Sequence, residues 1–125
     1  MEYEETTKKI IACAYNVHNA LGFGFLESVY EKSLLIELEI AGFTVDSQVP
    51  LSVKYKGHSV GDFVADIIVD DTIILELKSV TSIAKAHKAQ LVNYLVATSK
   101  PVGLLINFGP EKVDVNRRDL AILNN

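Results

Sequence analysis

Cysteine, tryptophan and proline are scarce in this sequence: its 125 residues include one Cys, no Trp and three Pro. A single cysteine, Cys13, excludes an internal disulfide and is typical of a reducing compartment. Its neighbours Ile10, Ala14 and Val17 recur at helical spacing. We therefore expect Cys13 to be a small buried core residue rather than a nucleophile.

Long apolar runs are also missing. No stretch approaches the roughly eighteen apolar residues of a membrane span, and the N-terminus is acidic where a secretory signal would be basic. The expectation is a cytoplasmic protein without a membrane partner.

Acidic residues are absent from about a quarter of the chain. Residues 77–110 hold no acids and four lysines, whereas residues 1–76 hold 13 acids and 5 bases and residues 111–125 hold three of each. The net charge of −4 argues against a generally basic surface that coats nucleic acid. The acid-free stretch is expected either to bind a polyanion or to form a solvated helix face.

The length suits one domain, residues 1–125, and the 49% apolar and 22% charged content is ordinary for a globular protein. Apolar residues at spacings of three and four predict an amphipathic helix over residues 2–20, ended by Gly22, and a second from about 26 to 41, ended by Gly42. A third helix is expected from about 83 to 98.

After Gly42 the apolar period changes to two, which predicts strands. Val49, Leu51, Val53 and Tyr55 alternate with polar residues in one strand, or in two segments broken at Pro50. The other expected segments are a turn at Gly57-His58, a hairpin of residues 60–69 and 72–80 joined at Asp70-Asp71, a central strand at 102–108 and a short edge strand at 111–118. The order ααβββαβ, with a possible final β, predicts an α/β (α+β) fold: a mixed sheet flanked by helices.

Three charged residues interrupt the apolar hairpin: Asp66 in one strand, and Glu76 and Lys78 in the next. Unpaired charges inside packed strands are costly, so the three need a common explanation. Glu76 and Lys78 are two apart and share one face of a strand. A two-residue loop would pair Asp66 with Leu75, so convergence of the carboxylates requires a longer loop or a bulge.

Two converging carboxylates are suitable ligands for Mg²⁺ or Mn²⁺. A lysine beside them is useful if the metal holds a phosphate, since an ammonium can lower the pKa of an attacking water or stabilise charge on the transferring phosphorus. The alternative is a buried salt bridge from Lys78 to Glu76 or Asp66 that only orders the hairpin.

The order Asp66, Glu76-Leu77-Lys78 resembles the D…(D/E)-x-K core of the PD-(D/E)XK nuclease superfamily. The segment Gly24-Phe25-Leu26-Glu27-Ser28-Val29-Tyr30 resembles the signature of the GxxExxY family within it. The likeness extends through His87, Gln90 and Tyr94 to the segment 105–109, and so covers nearly the whole chain. Ala65 stands where the wider superfamily often has a proline.

The resemblance implies a nuclease-like fold in which Asp66, Glu76 and the carbonyl of Leu77 bind Mg²⁺. Lys78 would position or activate the water, and Glu27, on the first core helix, would complete the metal site. A carboxylate at a helix start is also favoured by the helix dipole, so the alternative for Glu27 is an ordinary N-terminal helix residue.

On the third helix His87, Gln90 and Tyr94 share a face, because they lie at i, i+3 and i+7. If that face borders the metal cluster, Gln90 could orient the water or the scissile phosphate, with His87 and Tyr94 as phosphate contacts. Lys85 and Lys88 could meet a nucleic-acid backbone. The alternatives are core packing for Tyr94 and a helix-surface position for His87.

These expectations combine into a metal-dependent nuclease that hydrolyses phosphodiester bonds in DNA, or less favourably RNA, with water activated by Mg²⁺. A homodimer is possible, since so small a fold has little room for a recognition module. The alternatives are a non-catalytic nucleic-acid or protein-binding module that keeps the fold, and hydrolysis of a nucleotide or another small phosphate ester.

Overall fold

The computed structural model describes residues 2–123, which form a five-stranded mixed sheet flanked by helices. The predicted order of elements and the mixed α and β class are confirmed. The elements are α1 (Glu4–Leu21), α2 (Glu27–Ile40), β1 (Val45–Tyr55), β2 (His58–Val69), β3 (Ile73–Lys78), α3 (Lys85–Thr98), β4 (Val102–Phe108), β5 (Val113–Asp119) and α4 (Leu120–Leu123).

The strands lie in the order β1-β2-β3-β4-β5, so each one neighbours its successor in the chain. Only β3 and β4 are parallel, and α3 makes the crossover between them. Every residue of β4 is buried, as expected of a strand covered on both faces.

Two apolar clusters cover the two faces of the sheet. Helices α1 and α2 pack on one face, where the odd-numbered residues of β3, Leu75 and Leu77 among them, lie in the larger cluster with Cys13. Helix α3 packs on the other face, where Ile74 contacts Leu91 and Leu95. In the described residues, no helix combines the length and apolarity needed to cross a bilayer.

Helix α3 approaches the sheet closely over Gly103 of β4. A Cβ placed on Gly103 would lie 2.6 Å from Leu91 Cδ1 and 3.2 Å from Leu95 Cδ2. Because carbon atoms in contact stay about 3.5–4.0 Å apart, any side chain at position 103 would require the helix or its leucines to move.

Some element boundaries differ from the sequence prediction. Pro50 does not divide the first strand into two segments. Because β1 is an edge strand, the missing N–H of proline is tolerated there. The turn between β1 and β2 lies at Lys56-Gly57, both with positive φ, so His58 already belongs to β2. The short helix α4 was not predicted.

The loop between β2 and β3 contains three residues rather than two. Val69 pairs with Ile73, and the intervening turn has Asp70 and Asp71 at φ 50° and 54°. The register that follows aligns Ile67 with Leu75. The prediction of a longer loop is confirmed. Beyond the pair Ile67 and Leu75, the next residue is Asp66 on β2 and Glu76 on β3.

Candidate active site

The two strands of the long β1–β2 hairpin change faces at Asp66. Ala65 packs in the cluster under α3, whereas Ile67, two residues later, packs in the cluster under α1 and α2. Gln48, the residue of β1 opposite Asp66, has φ 51°, and the ladder between the strands omits this pair. A left-handed residue within a strand rotates the chain, as bulges next to active sites do. Asp66 therefore lies at the bend, at the end of the regular β2–β3 ladder.

At this bend the carboxylates of Asp66 and Glu76 each accept a hydrogen bond from the backbone of the opposite strand. The N–H of Leu77 donates to Asp66 Oδ2 at 2.8 Å, and the N–H of Asp66 donates to Glu76 Oε1 at 3.2 Å. Beyond Ile67 and Leu75 the two strands diverge. There the side-chain oxygens accept the backbone N–H groups that main-chain carbonyls would accept in a regular sheet. The two carboxylates predicted from the sequence do converge.

Glu76 is the buried acid of this pair. It is 6% exposed, lies in β3 and shares a strand face with Ile74 and Lys78. Burial raises the pKa of Glu76 to about 8, and the charge and side-chain hydrogen bond of Asp66 add to the rise. The backbone N–H of Asp66 and the charge of Lys78 oppose it. At neutral pH this carboxyl therefore retains a proton that a nearby cation would displace.

Lys78 ends β3 and is half-buried. Its charge is felt by Glu76, but within residues 2–123 no ion pair shorter than 4.0 Å and no hydrogen bond joins its amine to either carboxylate. The closed salt bridge considered as an alternative is therefore not formed. The amine remains free to meet an anion beside the carboxylate pair.

Glu27 lies apart from the pair. It is the first residue of α2 and is exposed. No three His, Cys, Asp or Glu side chains in the described ranges lie close enough together to hold a metal ion. The structure thus brings together two of the three carboxylates predicted as ligands, and leaves the third at the helix start.

Another glutamate on α2, Glu31, feels the charge of Asp66. Burial raises the pKa of Glu31, and the charges of Asp66 and Glu27 raise it further, against a hydrogen bond from Gln48 Nε2 to Glu31 Oε1 at 2.7 Å. Glu31 was missed by the sequence analysis. Its position four residues after Glu27, hence on the same helix face, is the signal that was available.

Helix α3 brings Tyr94 close enough to the carboxylate pair to feel its charge, and Gln90 bonds to Tyr94. Gln90 Nε2 donates to the Tyr94 hydroxyl at 2.9 Å, and the Tyr94 ring is buried in the cluster under α3. Burial raises the pKa of Tyr94, and the charges of Glu76 and Asp66 raise it further. Gln90 is half-buried, and its hydrogen-bond partner is the hydroxyl of Tyr94, a group that the charges of both carboxylates influence. Tyr94 has the packed ring and bonded hydroxyl of the core alternative.

The remaining predicted contacts lie at the start of α3. The N–H of Ala84 donates to His87 Nδ1 at 3.1 Å, so this histidine caps the helix start and has only Nε2 left for another partner. Lys85 is exposed and Lys88 is half-buried, one turn or less from His87. Neither lysine forms an ion pair within the part of the chain described.

Two further polar residues fix the chain where it leaves Lys78. Asn107, the lone amide in the apolar strand β4, accepts from the N–H of Val80 at 3.0 Å and donates to its carbonyl at 2.9 Å. Ser79 Oγ donates to the carbonyl of Phe25 at 3.0 Å, which ties this end of β3 to the loop before α2. The sequence analysis gave neither residue a role, although a single polar residue in a buried strand is a recognisable signal.

Comparison with known proteins gives a match to a protein family and matches to solved structures. Residues 4–118 match a family model described as the PD-(D/E)XK nuclease superfamily. A solved protein structure, described as the crystal structure of SSO0001, aligns with a TM-score of 0.62 and 21% sequence identity, over 94% of this chain. The chain spans only 60% of the length of that protein, so this similarity supports the fold alone. No protein with a curated description matches the sequence.

Proposed function

Because the chain belongs to the PD-(D/E)XK nuclease superfamily, we propose that it is a metal-dependent nuclease that hydrolyses phosphodiester bonds in DNA, or alternatively RNA. Membership suggests a nuclease and therefore a nucleic-acid substrate. The preference for DNA, the dependence on Mg²⁺ or Mn²⁺, a cytoplasmic location, a single domain over residues 1–125, a possible homodimer and membership of the GxxExxY family are parts of the proposal.

One observation carries the proposal: two carboxylates, Asp66 and Glu76, are held together by backbone hydrogen bonds beside a lysine that pairs with neither of them. Two adjacent acids in a partly buried position repel each other, and a divalent cation would relieve that repulsion. The donor set therefore fits Mg²⁺ or Mn²⁺, with the carbonyl of Leu77 as a further oxygen ligand.

A bound cation would neutralise phosphate charge and lower the pKa of the attacking water. The chain's own residues would do the rest. Lys78 would bring its ammonium to the water or to the phosphate oxygens. Gln90 would orient the water or the phosphate through its amide oxygen, because its Nε2 donates to the Tyr94 hydroxyl. Fixing Lys78 depends on the hydrogen bonds of Ser79 and Asn107 that follow it in the chain.

The nucleic-acid contacts proposed on α3 are Lys85, His87 and Lys88, with Tyr94 beside the reacting phosphate. Glu27 stays in the proposal as a metal ligand reached through water or after movement of α2, since Mg²⁺ retains several waters in its shell.

The test is a cleavage assay in Mn²⁺ on duplex DNA, single-stranded DNA and RNA with wild-type protein and Lys78→Ala. We expect a loss of activity of at least 100-fold in Lys78→Ala, the usual contribution of a residue that assists proton transfer. Lys9→Ala is the matched control, because Lys9 is an exposed lysine on α1, which packs on the other face of the sheet. Equal activity of Lys78→Ala and wild type would refute the proposal.

A non-catalytic module is the second candidate, and the absence of a third carboxylate beside the pair, within the described residues, favours it. Calorimetric titration with Mn²⁺ separates the two candidates. A nuclease should bind the ion and lose that binding in Glu76→Gln, whereas a module has no reason to bind metal at Asp66 and Glu76. Comparing a mononucleotide with duplex DNA as substrate tests the third possibility, a small phosphate ester.

A further inference from the structure

A groove runs along α3 away from the carboxylate pair, between this helix and the outer half of the β1–β2 hairpin. Two adjoining clefts of about 300 and about 490 Å³ make up this hairpin groove. They share Val53, Phe63 and Asn93, and the smaller one also has Gln90 and Tyr94 in its lining. The groove is therefore continuous with the proposed site, and its size lies in the range of about 300–1,000 Å³ typical of ligand pockets.

The lining is mostly apolar and includes an exposed aromatic ring. Phe63 is 43% exposed, and its ring centroid lies 5.8 Å from that of Tyr94, tilted by 52°, so the Tyr94 ring supports it from one side. Val60 and Val96, from opposite sides of the groove, are about three-fifths exposed. Several large apolar side chains exposed together indicate a binding surface rather than a solvated one.

Small residues leave the space in front of the Phe63 ring open. A Cβ on Gly61 would lie 3.1 Å from the Phe63 ring, and the helix contributes alanines at the corresponding positions of its side of the groove. Asn93, at the centre, supplies an exposed amide with both a donor and an acceptor. A flat ring with polar edges matches this combination.

The charge of the groove favours an anionic ligand. Among the described residues that line it there is a lysine, Lys54, and no acid. Lys85 and Lys88 lie on the same helix within one turn of the groove residues Ala86 and Ala89. Asp62 lies between Gly61 and Phe63 on β2, so strand alternation turns it to the opposite face.

From these observations we infer that the hairpin groove binds the unpaired bases of a single-stranded stretch of nucleic acid adjoining the phosphodiester that is cut. The inference rests on the proposed nuclease function and specifies its substrate class. Aromatic rings beside a positively charged track are what single-strand binding requires, since every base has a face that can stack. A duplex hides its base faces within its own stack and offers this groove only backbone and base edges.

The experiment measures binding by fluorescence anisotropy in EDTA, where a metal-dependent nuclease cannot cut, with a labelled short oligothymidylate and a hairpin duplex of equal nucleotide count. We expect wild-type protein to bind the oligothymidylate at least tenfold more tightly. Phe63→Ala should weaken that binding about tenfold, the usual size of one base–aromatic stack, with little effect on the duplex.

Two further variants keep the test decisive. Gly61→Val fills the groove while retaining Phe63, and valine suits a strand, so it should weaken binding of the oligothymidylate even if Phe63→Ala folds poorly. Val64→Ala is the control: Val64 is 45% exposed, neighbours Phe63 and faces the other side of β2. It should bind as wild type does.

Equal affinity for duplex and single strand, or wild-type binding by both groove variants, would overturn the inference. So would light scattering that shows a dimer dissociated by Phe63→Ala, because a second copy of the chain would then occupy the groove. Wild-type binding of oligothymidylate by both groove variants, together with cleavage of nucleic acid in Mn²⁺, would leave the proposed nuclease function standing without the groove. Tight binding of oligothymidylate with no cleavage of any nucleic acid in Mn²⁺ would leave a single-strand binding groove and refute the nuclease.

Discussion

The carboxylates of Asp66 and Glu76 hold the ends of two diverging strands together. Each accepts a backbone N–H that would otherwise meet a ladder carbonyl. The structural role and the proposed metal binding therefore fall on the same two carboxylates, because an oxygen that bonds an N–H still has a second lone pair for a cation. Substitutions at these positions should alter stability as well as activity.

The raised pKa of Glu76 predicts a pH-dependent stability. Its pKa is about 8 in the folded chain against an ordinary 4.5. Between these values the folded state binds a proton that the unfolded state has lost, so the free energy of unfolding should fall as pH rises, by at most about 1.4 kcal/mol per pH unit, and level off above about 8. Urea denaturation of metal-free protein at a series of pH values measures this.

Glu76→Gln supplies the control for that measurement, since glutamine is uncharged at every pH. The difference in slope between wild type and variant isolates the one carboxyl from all the others. Mn²⁺ should restore part of the stability of wild type near pH 8 through binding to the folded state. Identical slopes for the two proteins would show that Glu76 is not protonated as described.

Asp66→Asn should lower the pKa of Glu76. The amide oxygen of asparagine can still accept the N–H of Leu77, but the negative charge that disfavours ionisation of Glu76 is gone. Carbon-detected NMR titration of the glutamate carboxyl carbons reads the shift directly. Asp66→Ala, by contrast, leaves the N–H of Leu77 without its partner and should cost about 1–3 kcal/mol of stability. An unchanged Glu76 titration in Asp66→Asn would contradict the assigned cause.

Among the elements, the helices and the order of strands could be predicted from the sequence, because apolar period and terminal glycines are local signals. The convergence of Asp66 with Glu76 could also be predicted, since two charged residues inside apolar strands favour a register that brings them together. Pro50 was ambiguous because its tolerance depends on β1 being at the sheet edge, which only the full topology fixes.

The change of faces at Asp66 could not be predicted in the same way. It depends on Gln48 adopting a left-handed conformation, and the amide of Gln48 bonds Glu31 on a helix that is distant in sequence. The interaction of Glu31 with Asp66 likewise depends on how α2 is rotated on the sheet. Neither is a property of a local segment.

The C-terminal ends of α2 and α3 give an element-scale prediction. Ser99 ends α3 with φ 57°, a conformation that glycine adopts without cost, so Ser99→Gly should raise the free energy of unfolding by up to about 1 kcal/mol. Gly42 follows α2 with φ 95° and has open space around it, so Gly42→Ala should lower it by about 1 kcal/mol through backbone strain alone. Thermal denaturation compares the pair, and changes of the same sign would contradict the explanation.

At the scale of the whole molecule, charge is segregated around the sheet. The acid-free residues 77–110 comprise the end of β3, all of α3 and all of β4, and so provide one side of the proposed site and of the hairpin groove. If the proposed function holds, the net charge of −4 would keep nucleic acid away from other surfaces while this side would attract it. The acid-free segment would then orient the nucleic acid without a generally basic surface.

This segregation predicts a salt dependence that arises from α3. Affinity for oligothymidylate should fall linearly on a plot of log affinity against log salt, and Lys85→Ala and Lys88→Ala should each reduce the slope by roughly 0.7, the value for one phosphate contact on a single strand. Lys9→Ala on α1 should leave the slope unchanged. A slope that does not respond to either α3 lysine would place the contact surface elsewhere.

Gly103 affects the position of α3 on the sheet, and with it the alignment of the proposed site. The same helix that rests on this glycine carries Gln90 and Tyr94 towards Glu76. One methyl group at position 103 would tilt or lift that helix by enough to clear Leu91, and the amide of Gln90 would move with it. The alignment of the proposed site thus depends on the lack of a side chain at Gly103, in a strand that contributes none of the proposed site residues.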